Sequence, residues 1–167
     1  METLAKHASG IYLVDYFGLI VAVSLLECII PRRHAGELLR MRWLGNFGIT
    51  ILDTIVVRAL FPMLSFGMAI EATNRGWGLF NRVHLPMWVV VLVAVIILDL
   101  HNYAQHYLFH RVPLLWRVHR AHHTDQGYDF TTGLRFHPIE AILSTAFAVG
   151  AVAVLGAPPL VYCPLNN

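Results

Sequence analysis

Four stretches of the chain are apolar for long enough to cross a bilayer, which takes about 20 residues of helix, and polar or proline-bearing segments separate them. The first runs from Ile11 to Ile30, with Asp15 and Glu27 near its ends and Pro31 closing it. It lacks the basic lead-in and the small-residue cleavage site of a secretory signal peptide. The second, Leu44 to Ile70, contains Asp53, Arg58 and Pro62, and the proline predicts a kink. The third runs from Leu85 through the aliphatic VVVLVAVIIL to Leu100 and leads into a polar, histidine-rich segment. The fourth, Ile139 to about Leu155, is rich in Ala and Val and stops before Gly156 and Pro158-Pro159. No internal repeat, Ser-rich linker or low-complexity tract divides the chain. Residues 1–167 therefore read as a single membrane domain, an all-α multi-pass transmembrane bundle of about four spans with a cytoplasmic histidine-rich helical segment.

Composition agrees, with 57% apolar residues, 13% charged residues and a mean hydropathy of +0.59. A soluble domain carries roughly a quarter charged residues, so disorder, nucleic-acid binding and a solvated coiled coil are disfavoured. The net charge of +2 bears on orientation more than on a partner. Arg32, Arg33, Arg40 and Arg42 follow the first span, and Arg111, Arg117, Arg120 and Arg135 lie between the third and fourth. Both segments are expected on the cytoplasmic side. The intervening loop carries only Arg75 and Arg82, offset in part by Glu71, and fits the opposite face. Cys28 and Cys163 are far apart with no C-x-x-C spacing, so neither a disulfide framework nor a thiolate metal site is indicated.

Six of the ten histidines fall between His101 and His123. His106 and His110 are four apart and share one face of a helix. After the Val112-Pro113 break a second short helix is expected, on which His119, His122 and His123 occupy i, i+3 and i+4. Two helices joined by a tight turn would aim five imidazoles into one space just beyond the end of the third span. Neutral imidazole ligates Fe, Zn, Cu and Ni. The His106–His110 pair alone is equally consistent with interfacial side chains. Five crowded imidazoles without a metal would strand donors and acceptors, which favours the metal.

The surrounding polar residues have bland readings too. Asp99 either accepts a hydrogen bond from a ligand imidazole or is a polar helix end reaching water. Asp125 and Asp129 follow the second cluster, where they would orient imidazoles or pair with Arg135. His137 precedes a proline and reads as a cap of the fourth helix, with a weak ligand role as the alternative. Glu140 reads as an acid favoured at a helix start. His101 lies off the ligand face, and His7, His34 and His84 are isolated and read as solvated. Trp116, Arg117 and Arg120 suit an interfacial helix, with the indole among head groups. Asp53 and Arg58, costly in lipid, should face the bundle or pair.

Neither H-E-x-x-H nor E-x-x-H occurs, which removes the common zinc-protease and soluble four-helix di-iron patterns. The chain instead resembles the sterol desaturase and fatty acid hydroxylase superfamily of integral-membrane non-haem di-iron oxygenases. The resemblance rests on H-x-x-x-H at His106 to His110, L-W-x-x-H-x-x-H-H at Leu115 to His123, and D-x-T-T-x-x-R-x-H-P-x-E at Asp129 to Glu140. It extends over roughly residues 30 to 155, including the lead-in around Arg42, Trp43 and Asn46, with the hydroxylase-like region at about 85–160.

The resemblance implies that His106, His110, His119, His122 and His123 bind iron, as a non-haem di-iron centre with O2 as co-substrate. It also implies hydroxylation or desaturation of a C–H bond in a membrane lipid such as a sterol or fatty acyl chain, in lipid biosynthesis. An external electron donor, cytochrome b5-like or ferredoxin-like, is implied as partner, and no nucleic acid. A bacterial cytoplasmic membrane is expected rather than the endoplasmic reticulum. The family's third histidine box is missing, and five imidazoles leave two irons short of ligands. The chain accordingly reads as an incomplete form, expected not to oxidise a lipid by itself. The alternatives are a non-catalytic metal-binding membrane fragment or a metal transporter, although a transporter would carry ligands at mid-bilayer depth.

Overall fold

The computed structural model describes residues 18–27, 29–30, 39–61, 63–125 and 127–162. His7, Asp15, Cys28, Pro31, Arg32, Arg33, His34, Pro62 and Cys163 lie outside them, and so do the expectations attached to those positions. The described residues form helices and no strand: α1 (Gly18–Glu27), α2 (Leu39–Leu60), α3 (Ser65–Arg75), α4 (Met87–Arg111), α5 (Pro113–His123) and α6 (Pro138–Leu155). Two 3-10 turns, Phe130–Leu134 and Pro159–Tyr162, complete the set. Among the described residues, three segments are long and apolar enough to cross a membrane: Arg40–Arg75, α4 and α6. The first expected span is described only in its second half, where α1 is helical.

The second apolar stretch is two helices rather than one. Phe61 N–H still donates to the Val57 carbonyl at 2.8 Å, and α3 then begins at Ser65. The apolar run that hydropathy reads as one segment is thus divided between the end of α2 at Leu60 and the start of α3 at Ser65. α2 also begins five residues before the apolar run. Its first turns carry Arg42, Asn46 and Thr50, whose side chains all bond to the 125–134 segment. They therefore stand beside a polar loop instead of facing lipid. Asp53 on this helix is buried, as expected, whereas Arg58 is exposed in the last turn. Five residues put the two about 140° apart around the axis, so they cannot pair across one face.

α4 runs unbroken through the third apolar stretch and the first histidine pair. Val112, extended at φ −90° and ψ 118°, is at once the C-cap of α4 and the N-cap of α5, with Pro113 opening the new helix. A one-residue corner results, because a residue before proline is driven from the helical region while proline at the first helical position costs nothing.

The tightest packing lies at the end of the bundle opposite the histidines. Ala69, Phe80, Val90, Ala94, Val152 and Ala157 form the buried cluster, drawn from α3, α4, α6 and the segments beside them. The loop after α3 crosses the end of α6, where the N–H groups of Leu79 and Phe80 donate to the carbonyls of Val154 and Leu155 at 3.1 and 2.8 Å. Two of the carbonyls that a helix end leaves unpartnered are thereby satisfied. Outward-facing positions are apolar, as with Leu92, Ile96 and Leu100 on α4, each more than half exposed. Such an inside-out distribution suits a lipid solvent.

Candidate metal centre

The α4–α5 corner turns the two histidine clusters toward each other. The Nε2 atoms of His106 and His110 are 3.2 Å apart, those of His110 and His119 are 3.3 Å apart, and those of His119 and His123 are 3.2 Å apart. Any two nitrogens held at about 2.0–2.1 Å by one tetrahedral ion would be separated by about 3.3 Å, the spacing of each consecutive pair here. The donor set therefore fits a metal, with His106, His110 and His119 the three whose donor atoms all lie within 4.8 Å of one another. His122 stands at the margin, its ring 5.8 Å from that of His119 and stacked on Phe136 at 5.0 Å. Its Nδ1 is buried with no partner among the described residues.

His119 is the buried member, 1% exposed, while His106 and His110 are exposed on α4. Burial, followed by the neighbouring His110 and His122, pushes the His119 imidazole down to about 4. His123 is lowered by burial first and His119 next. Both are thus neutral at pH 7, the state in which an imidazole nitrogen has a lone pair to give. The Trp116 indole packs on the rings of His110 and His123 at 5.2 and 5.6 Å, covering one side of the cluster. Trp116 stands about one turn before His119 and two turns before His123 on the same face of α5, so one aromatic covers several imidazoles.

The loop after α5 is held by two carboxylates. Asp125 accepts from Arg42 Nε at 2.8 Å and Nη2 at 3.0 Å, from Asn46 at 3.2 Å and from the Thr132 hydroxyl at 2.7 Å. The Arg42 guanidinium, ahead of the other donors, holds this carboxyl well below the usual range. Asp129 accepts from the Trp43 indole N–H at 2.9 Å and from Thr131, and closes a capping box with Thr132. The expected pairing of these acids with Arg135 is not what forms, because Arg42 from α2 reaches both. Arg135 instead donates to the Ala121 carbonyl at 3.0 Å and to Thr124 and Asn46, binding the last turn of α5.

His137 caps α6, its Nδ1 accepting from Ile139 N–H at 3.2 Å, and it lies outside the cluster. Asp99 makes no hydrogen bond to a cluster imidazole among the described residues. It lines, with Asn102, Ser65, Val95, Leu98 and Ala148, a cavity of about 300 Å³. Asp99, Asn102 and His106 share a face of α4, so this cavity begins on the membrane side of the histidines, Asp99 being about 10 Å along the axis from His106.

Glu140 is what sequence reasoning passed over. It is buried, 4% exposed, and its Oε1 lies 2.6 Å from His119 Nδ1. The available signal was its setting: it is the sole acid in an 18-residue apolar helix, and ionisable groups in such helices are costly unless they serve something.

The fatty acid hydroxylase family model matches residues 91–165, which takes in every histidine of the cluster. Alkylglycerol monooxygenase of Xenopus tropicalis is 28% identical over 128 residues, covering 74% of this chain and 27% of that protein. The fatty acid hydroxylase vlmA of a Lecanicillium species is 49% identical over 39 residues, covering 22% of this chain and 11% of its own. The chain thus spans about a quarter or less of these curated relatives. No solved structure matches it significantly.

Proposed function

Because the chain belongs to the sterol desaturase and fatty acid hydroxylase superfamily, we propose that it forms the metal-binding membrane core of an O2-dependent lipid hydroxylase. The carrying observation is the run of imidazole nitrogens at 3.2–3.3 Å from His106 through His110 and His119 to His123. They gather at the end of a membrane-length helix. His106, His110, His119 and His123 would hold iron, with His122 adjoining. Iron bound there supplies the O2-activating redox chemistry that an unactivated C–H bond requires and that no side chain possesses.

The chain's own residues do the rest. Trp116 keeps water from one side of the imidazoles, and the α4–α5 corner fixes their spacing. The cavity beside α4 offers apolar walls from Val95, Leu98 and Ala148 to the body of a lipid, with Asp99 and Asn102 as hydrogen-bonding groups. Hydroxylation consumes one O2, two electrons and two protons per C–H bond and releases water. That balance requires an external reductant, and a one-electron carrier on the aqueous side, cytochrome b5-like or ferredoxin-like, would meet it by delivering two electrons in turn.

The test is 18O2 labelling of lipids in membranes where the protein is expressed from its full coding sequence. Label in a lipid hydroxyl, lost in His106→Ala and His119→Ala, supports the reading. Labelling that persists in both variants, or no labelled lipid among fatty acids, alkylglycerols and sterols, overturns it.

A further inference from the structure

An acid that only stabilises a helix start has no reason to be buried. The N-terminal partial charge acts well on a carboxylate in water, and a buried carboxylate loses solvation. Glu140 sits in the first turn of α6, yet its side chain is 5% exposed and turned inward onto His119, which is 1% exposed. Its position is fixed from both sides, by Pro138 at the first helical position and by the His137 side chain that caps Ile139 N–H. His119 presents its two ring nitrogens to different environments. Nδ1 meets Glu140 Oε1 at 2.6 Å, while Nε2 faces the Nε2 atoms of His110 and His123 at 3.3 and 3.2 Å.

We propose that Glu140 is a positioning residue for the metal centre. Its carboxylate accepts the Nδ1–H of His119, which fixes that tautomer and the ring plane and leaves the Nε2 lone pair directed at the point where the other imidazoles converge. The assignment rests on the reading of this cluster as a metal centre. A ligating imidazole whose far nitrogen donates to a carboxylate is both oriented and made more basic. The ring cannot turn over without placing an N–H where the lone pair is needed and leaving Glu140 Oε1 without a donor. The second carboxylate oxygen, Oε2, is buried with no partner among the described residues, as is Nδ1 of His122. Unsatisfied buried groups of this kind are costly, which marks Glu140 as retained for what it does to His119 rather than for the stability of α6.

The first measurement needs no metal. In 15N-histidine-labelled protein in micelles, the imidazole resonances absent from a His119→Asn spectrum should report the Nδ1–H tautomer. An Nε2–H tautomer would mean that Glu140 donates to the ring, and would overturn the proposal. The second is Co2+ affinity, read from ligand-field absorption. Glu140→Gln should bind about 10–100-fold more weakly with unchanged helix content, Glu140→Asp should recover part of the loss, and Ser144→Ala, on the same helix, should bind as the wild type does. Glu140→Gln with wild-type affinity overturns the proposal. Should Glu140→Gln not fold, the wild-type tautomer decides. A wild-type protein that takes up no cobalt defeats the metal reading itself, and the tautomer then separately shows whether Glu140 holds the ring.

Discussion

Arg42 and Asp125, 83 residues apart, meet in a two-pronged ion pair, Nε to Oδ1 at 2.8 Å and Nη2 to Oδ2 at 3.0 Å. It joins the start of α2 to the loop that follows the second histidine cluster, and it puts both on one side of the bundle. Asp125 is 2% exposed and Arg42 20%. Removing Arg42 therefore strands a buried carboxylate, and Arg42→Ala should cost roughly 2–3 kcal/mol, less than a fully buried pair would. Arg42→Lys should recover only part of this, since an ammonium cannot make both bonds. Denaturant titration in micelles measures the series.

The same pair sets an acid limit. Asp125 is held well below the ordinary carboxylate range, by the Arg42 guanidinium above all. A depressed carboxyl contributes stability above its unfolded value of about 4, and that contribution drains away as pH falls through the folded value. The stability gap between wild type and Asp125→Asn should be constant from pH 7 to 5 and narrow below pH 4. A gap of the same size at pH 3 would show that Asp125 is not so held.

Single imidazoles should differ in their effect on metal uptake. Replacing His106, His110 or His119 by alanine removes one of three mutually close donors, and each should weaken Co2+ or Zn2+ binding by at least about 100-fold. His101→Ala, off this face of α4, should leave it unchanged. Competition against a chelating dye distinguishes the two groups.

At the opposite end, Gly78 has φ +87° and a side chain there would run into the backbone of Gly156. Gly78→Ala combines left-handed strain with a collision against main chain, and should cost on the order of 3 kcal/mol. Thermal unfolding in detergent provides the measurement. Because the collision lies far from the histidines, metal affinity in the fraction that stays folded should not change.

Topology follows from the same contacts. Cysteines at Met41 and Gly133, both exposed, should react with an impermeant reagent from one face of sealed vesicles. A cysteine at the exposed Leu79 should react from the other. Labelling of all three from one face would contradict the described bundle.

The helices and their histidines were legible because they depend on local chemistry. Hydropathy located three of the membrane-length segments, i and i+4 spacing put His106 above His110, and Val112-Pro113 implied the corner that folds α5 back. Each rests on backbone periodicity or on one proline's sterics, which neighbouring residues alone determine. Long-range pairing was not legible in this way. In sequence, Asp125 and Asp129 were open to any cation, and only the course of α2 brought Arg42 to them and left Arg135 to bind α5. The contact of Trp116 with the imidazoles of His110 and His123 likewise depends on how α5 folds back against α4. Glu140 has a sufficient local reason to open a helix, so nothing near it in sequence revealed that His119 lies 2.6 Å away. Sequence thus determined which groups could ligate and on what element each sits. The packing of α2, α5 and α6 decided which carboxylate each one meets, because a hydrogen bond depends on separations of a few ångströms between segments that the chain order leaves free.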